Sequence, residues 1–390
     1  MAQLARLRDQ QPVARASDPD GNRVWLVTRH ADIVAVSKDT ATFSSRRGVV
    51  TLEPLDQHQL DTRRVLMEQD PPLHAAWRRL LNADFTPRAV RGLEEGIRLF
   101  TAATLDAIDG SATIDGVVDI AEQVPIKVLC QLLGVPDDRA RELVSLGNRM
   151  VSATGDDEAE GMDPEDLRLL PFSHPAALDG LAMARELATQ RRARPTDDIT
   201  SLLVHGEVDG RPLTETEFEM TWLFLVLAGN ETTRHAISHA LHLLAHRPDL
   251  FDQWAADPDL DQAAADEVIR LSSPIVWHKR TATVDTQIAG QPIAAGDAVL
   301  LVFASGNRDA RVFTDPDEPD LSRSPNPHVS FGRGGPHFCL GAHLARLEVA
   351  VVVREFLDRV ATVQPAGPAV RLESNHFNGL RHLPLAVTWR

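Results

Sequence analysis

The chain has 390 residues, 43% hydrophobic and 25% charged, a balance that supports a full buried core. Its formal net charge of −16 argues against nucleic acid or an anionic membrane surface as a general partner. Two cysteines, Cys130 and Cys339, permit at most one disulfide and no zinc site built from Cys-x-x-Cys pairs, which suits a reducing compartment.

Residues 1–10 lack the apolar core of a signal peptide. No stretch approaches the roughly 20 apolar residues of a membrane span, so a soluble, cytoplasmic protein is expected. Residues 22–27 read as a strand after an Asp20-Gly21 turn. Residues 48–68 have neither the helical nor the strand period and read as a loop. From Asp70-Pro71-Pro72 the pattern turns helical, with proline in the first turn, and a run of helices continues to Gly134-Val135-Pro136. Cys130 sits in an apolar helix end there, the setting of a core residue. The acidic stretch 154–175 reads as a connection, either a solvated loop or a functional lid.

Thr214 and Glu217 have capping-box spacing and would open a long helix to about Ala245. Its segment 222–228 is too apolar to be exposed all round, and Gly229 in its interior costs about 1 kcal/mol relative to alanine, so it calls for a reason. Strand-like pieces follow at 281–288 and 298–303. The expected fold is mainly α with a small β region, in a single domain spanning 1–390.

The most informative stretch is Phe331-Gly-Arg-Gly-Gly-Pro-His337-Phe-Cys339-Leu-Gly341, which precedes an apolar helix marked by Leu344, Leu347, Val351 and Phe356. A cysteine just before a helix N-terminus meets unsatisfied N–H groups and the positive end of the dipole, both favouring thiolate. Gly332, Gly334, Gly335 and Gly341 allow the backbone to approach a large flat ligand. The alternative is a small buried hydrophobe beside a glycine-rich turn. Glu267 and Arg270, three residues apart, read locally as an ordinary helix ion pair. His74 and Arg78, at i,i+4, are two bases on one helix face that suit a dicarboxylate; each base alone would be a surface cation.

The cysteine segment resembles the heme-ligand loop of the cytochrome P450 family, with one more residue than usual between Phe331 and Cys339. The resemblance extends over nearly the whole chain and implies the family fold, with heme b (Fe) held by Cys339 between the Gly229 helix and the helix after the cysteine. It also implies that His74, Arg78, Arg280 and His337 meet the heme propionates. Glu267, Arg270 and Arg323 would form a structural network, with Pro319 where the family usually has phenylalanine. Ala228-Gly229-Asn230-Glu231-Thr232 resembles the oxygen-binding groove, in which Thr232 would hydrogen-bond dioxygen and a water and Glu231 would relay protons from solvent.

The resemblance thus implies a monooxygenase that takes electrons from NAD(P)H through a ferredoxin reductase and a ferredoxin. The carrier would dock near Arg79, Arg333 and Arg346, and the enzyme would act as a monomer. Phe224, Leu227, Ala228, Ile275, Val276, Trp277 and Phe377 would line the substrate pocket. They offer no polar side chain beyond the indole N–H of Trp277, so a lipophilic substrate is expected: a steroid, terpenoid or lipid, with secondary metabolites also open. The alternatives on the same fold are a peroxide-dependent peroxygenase or heme isomerase, disfavoured by the Glu231-Thr232 pair, and a non-catalytic heme-binding protein.

Overall fold

The structure is a computed structural model that describes residues 1–17, 21–62, 65–151, 163 and 174–390. Apart from residue 163 and its last two positions, the acidic stretch 154–175 lies outside the described residues, as does Asp20.

Two helices organise the core. The long helix Glu215–His246 starts as its capping box requires: the Glu217 N–H donates to Thr214 Oγ1 at 3.2 Å and Glu217 Oε2 accepts from the Thr214 N–H at 2.9 Å. The helix Ala342–Arg359 follows the cysteine loop, and Leu344, Leu347, Val351 and Phe356 are all buried. One core cluster joins the C-terminal half of the long helix to Ala342–Arg359 and to Asp261–Ser272. A second joins its N-terminal half to Gln123–Leu133 and Ala177–Ala193, with Cys130 fully buried inside it as expected.

The largest sheet has five strands in the order Val13–Ser17, Arg23–Val27, Ala298–Val302, Trp277–Ala282 and Phe43–Ser44. Ala298–Val302 runs parallel to Arg23–Val27 and antiparallel to Trp277–Ala282, setting Val299 opposite Arg280.

Three local readings change. The stretch 48–68 contains a helix, Gln57–Thr62, and a 3-10 turn, Leu66–Glu68. The helix is short and polar, so no apolar period marks it; Asp56 Oδ1 caps it by accepting from the Gln59 N–H at 2.8 Å. The run of helices to Gly134 is broken by a strand, Thr113–Asp115, which pairs with the distant Pro384–Trp389. Pro72 takes the N-cap position of Leu73–Leu81 rather than its first turn.

Candidate active site

The loop that carries Cys339 is closed by its own backbone. The Cys339 N–H donates to Phe331 O at 2.8 Å, and Gly332 and Gly334 take left-handed φ values of +69° and +106°, which absorbs the additional residue. A Cβ on Gly335 would stand 1.8 Å from the Ser37 carbonyl oxygen, so this glycine serves contact with protein backbone. A Cβ on Gly341 would meet nothing within 4 Å. The Phe331 ring lies under the Arg346 guanidinium, 4.5 Å from its centroid.

Cys339 is exposed; desolvation by the atoms packed around its loop pushes the thiol up, and the Gly341 N–H, Arg78 and Arg346 pull it down. Metal coordination would supply the missing stabilisation, since a coordinating thiol is deprotonated outright.

The four expected anion-binding bases converge. His74 and His337 have ring centroids 4.2 Å apart, and Arg78 donates through Nη1 to Phe338 O at 2.8 Å, beside the cysteine. Arg280 is buried on its strand and donates through Nη1 to Lys279 O at 2.8 Å. Burial first, then repulsion from neighbouring guanidinium groups, pushes His337 down to about 2 and His74 down to about 4. Burial also lowers Arg280 to about 10, opposed by Asp70. Asp70 is already engaged by Ser44 Oγ and the Ser45 N–H. A cluster of four bases against one committed carboxylate is matched by a dianionic group.

Glu267 and Arg270 are both fully buried and bidentate, at 2.8 and 2.7 Å. Arg323 joins through Nε at 3.2 Å, and the Asp320 N–H and Asn326 Nδ2 complete the set at 3.0 and 3.1 Å. Burial would raise the Glu267 carboxyl, but these donors hold it below its ordinary value. Ser330 Oγ, which donates to Ile269 O at 2.9 Å and accepts from Asn307 Nδ2 at 2.7 Å, ties this network to the start of the cysteine loop.

On the long helix, Ala228 is exposed and Thr232 half-buried, with Thr232 Oγ1 donating to Ala228 O at 2.9 Å. Gly229 has a packing reason: a Cβ there would stand 2.7 Å from Leu129 Cδ2 on Gln123–Leu133. Glu231 lies one residue before Thr232 on the same helix. It is fully buried and bonded to Arg234 and to Asn230 Nδ2 (3.0 Å), with Glu122 3.7 Å beyond on Arg234. Burial raises its carboxyl despite Arg234.

Among the expected pocket residues, Phe224 and Leu227 are half-buried, and Ile275 bridges to Phe377 with both half-buried. Val276, also half-buried, donates its N–H to His376 O at 2.8 Å. Trp277 is committed elsewhere: it packs with Leu300 and Val302, and its Nε1–H donates to Asn375 O at 2.8 Å. His376, missed in the sequence, is buried between Trp277 and Phe377, with ring centroids 4.9 Å from each, and neither of its ring nitrogens has a hydrogen-bond partner among the described residues. Arg346 is bound to Asp266 at 2.5 Å and is no free surface cation, whereas Arg79 and Arg333 are exposed.

A cysteine in a glycine-rich loop just before a helix, flanked by two histidines and two arginines, suits a heme-thiolate site. The cytochrome P450 family model matches residues 18–257 and 258–371. The steroid C26-monooxygenase of Mycolicibacterium smegmatis is 34% identical over 401 residues, covering 99% of this chain and 90% of the relative. The linalool 8-monooxygenase of Pseudomonas putida is 33% identical over 393 residues, 98% of this chain and 94% of the relative. Cytochrome P450 CYP268A2 of Mycobacterium marinum, solved in complex with pseudoionone, superposes with a TM-score of 0.90 at 35% identity, covering 99% of this chain and 94% of that one. The chain belongs to the cytochrome P450 family. It is an oxidoreductase that incorporates molecular oxygen, and a heme iron is its implied cofactor. Among the described residues no helix is long and apolar enough to cross a membrane.

Proposed function

We propose that this protein, as one heme-binding domain over 1–390 acting as a monomer, inserts one oxygen atom of O2 into a lipophilic steroid, terpenoid or lipid. Electrons come from NAD(P)H through a ferredoxin reductase and a ferredoxin. The observation that carries the reading is the convergence of His74, Arg78, Arg280 and His337 beside Cys339, a base cluster matched to two propionates. When bound, the heme supplies the redox chemistry that cleaves dioxygen, with the Cys339 thiolate donating electron density to it.

The chain's own residues divide the remaining work. Cys339 would ligate the iron, with Ala228, Gly229 and Gly341 among the residues that would hold the heme. Thr232 Oγ1, which donates to Ala228 O, would turn to hold a proton for the bound oxygen, and Glu231 would resupply it. Glu267, Arg270 and Arg323 hold the loop and touch no reacting atom. Phe224, Leu227, Ile275, Val276 and Phe377 exclude water from an apolar substrate. The relatives named for a steroid and for linalool support that substrate class. Exposed Arg79 and Arg333 give the acidic carrier a basic place to dock on a chain of net charge −16.

The test is the absorption spectrum of the reduced, carbon-monoxide-bound protein. Wild type should show the red-shifted thiolate band and Cys339→Ala should lack it; a wild type without the band would refute the reading. Spectral titration with steroids and terpenes then identifies the substrate class.

A further inference from the structure

Beyond Glu231 the long helix carries histidines at 235, 239, 242 and 246. At about 100° per residue these positions and Glu231 share one stripe. The stripe runs from interior to solvent: Glu231 and His235 are fully buried, His239 and His242 half-buried and His246 exposed. His235 Nε2 lies 3.8 Å from Glu231 Oε2, the His239 and His242 ring centroids are 6.5 Å apart, and His242 and His246 stack at 4.2 Å.

The turn at 377–379 closes the inner half of the stripe. A Cβ on Gly379 would lie 2.3 Å from His235 Cε1, and His239 Nε2 is 3.0 Å from Asn378 O. Nε2 of His239 is therefore the donor, which leaves its Nδ1 to accept. Neither ring nitrogen of His235 makes a hydrogen bond among the described residues, a costly state for a fully buried imidazole unless its nitrogens have work to do.

We propose that His246, His242, His239 and His235 form a proton path from solvent to Glu231. The proposal rests on the monooxygenase reading. In that reaction a substrate C–H, O2, two electrons and two protons give C–OH and water. The electrons come from the reduced ferredoxin, and the stripe delivers the protons. A neutral imidazole accepts at one nitrogen and releases from the other, so His239 takes a proton at Nδ1 and its ring turns from Asn378 O to release the Nε2 proton inward, with a water carrying the step from His242, whose ring centroid is 6.5 Å away.

The charged groups around the path fit transient carriage. Arg234 lies on the same helix, Glu122 just before Gln123–Leu133, and Arg371 on the C-terminal hairpin; the Ala140–Val151 helix presents Gly147 to Glu231. Burial first, with Arg234 and Arg371 assisting, disfavours standing imidazolium on His235 and His239. The other exit from Glu231, through Arg234 to Glu122, is a poor conduit because a guanidinium does not release its proton.

The experiment compares wild-type holoenzyme with His239→Phe and with His242→Gln, the second at a half-exposed position where folding is safe. Substrate-free enzyme is supplied with reduced ferredoxin and O2, and the fraction of O2 released as hydrogen peroxide rather than water is measured. Both variants should keep the carbon-monoxide thiolate band and raise the peroxide fraction at least threefold, with a larger solvent isotope effect. A readout without turnover is 15N-histidine NMR of the reduced carbon-monoxide form, where Glu231→Gln should shift the His235 and His239 signals. Unchanged peroxide fractions and unshifted histidine signals, with the thiolate band intact, would overturn the path alone. A wild type lacking the band would overturn the monooxygenase reading and the path with it.

Discussion

Removing Glu267 should loosen the cysteine loop before it unfolds the protein. Glu267 is fully buried and takes two bonds from Arg270, bonds from Arg323 to both its oxygens, and one each from the Asp320 N–H and Asn326. Glu267→Ala strands the Arg270 guanidinium, itself fully buried, with two carbonyl acceptors, Asn307 O and Pro316 O, both at 2.7 Å, and no counter-charge. Breaking a buried pair in this way costs about 3–5 kcal/mol. That is a large share of the roughly 5–15 kcal/mol that holds a folded domain together. Glu267→Gln keeps the shape and one acceptor oxygen, so its cost should be smaller, about 2 kcal/mol.

The assay is urea denaturation of the holoenzyme followed by far-UV circular dichroism and by heme absorbance. Ser330 and Asn307 link the network to the loop, and Val329 donates its N–H to Asn307 Oδ1 at 2.7 Å. Heme absorbance should therefore be lost at lower urea than helix signal in the alanine variant, and together with it in wild type. An alanine variant within 1 kcal/mol of wild type, with coincident transitions, would refute the argument.

Gly335→Ala places a Cβ against the backbone oxygen of Ser37, which cannot swing aside, so heme incorporation on expression should fall severalfold; normal heme content would contradict the loop geometry. Glu348 is buried, with Oε2 unpartnered among the described residues, and burial pushes its carboxyl up to about 8 from 4.5. The unfolded carboxyl ionises above 4.5 while the folded one stays protonated, so stability is lost as pH rises from 4.5 to 8. Glu348→Gln should then stabilise by about 3 kcal/mol at pH 7 and by almost nothing at pH 4, read from urea midpoints. His376 has the opposite sign. Burial holds it neutral down to about 4, so the unfolded chain binds a proton first and stability is lost as pH falls from 6.5 to 4. His376→Phe should flatten that slope by about one proton, about 1.4 kcal/mol per pH unit, and an unchanged slope would reject the assignment.

What could be read in the sequence was local. The members of the Thr214–Glu217 box and of the Glu267–Arg270 pair stand three residues apart, so their spacing already contains their geometry. The strand Thr113–Asp115 exists because the remote Pro384–Trp389 pairs with it, and no pattern in three residues announces that. Gly229 was legible as a demand without a reason, and the reason, Leu129, comes from another helix. The histidine stripe lies between these cases. Its spacing was present in the sequence, yet four histidines on a helix face are ordinarily a solvated edge. The turn that brings Phe377, Asn378 and Gly379 over His235 and His239 leaves the first buried and the second half-buried while His246 stays exposed, and a graded burial of that kind is what a proton path requires.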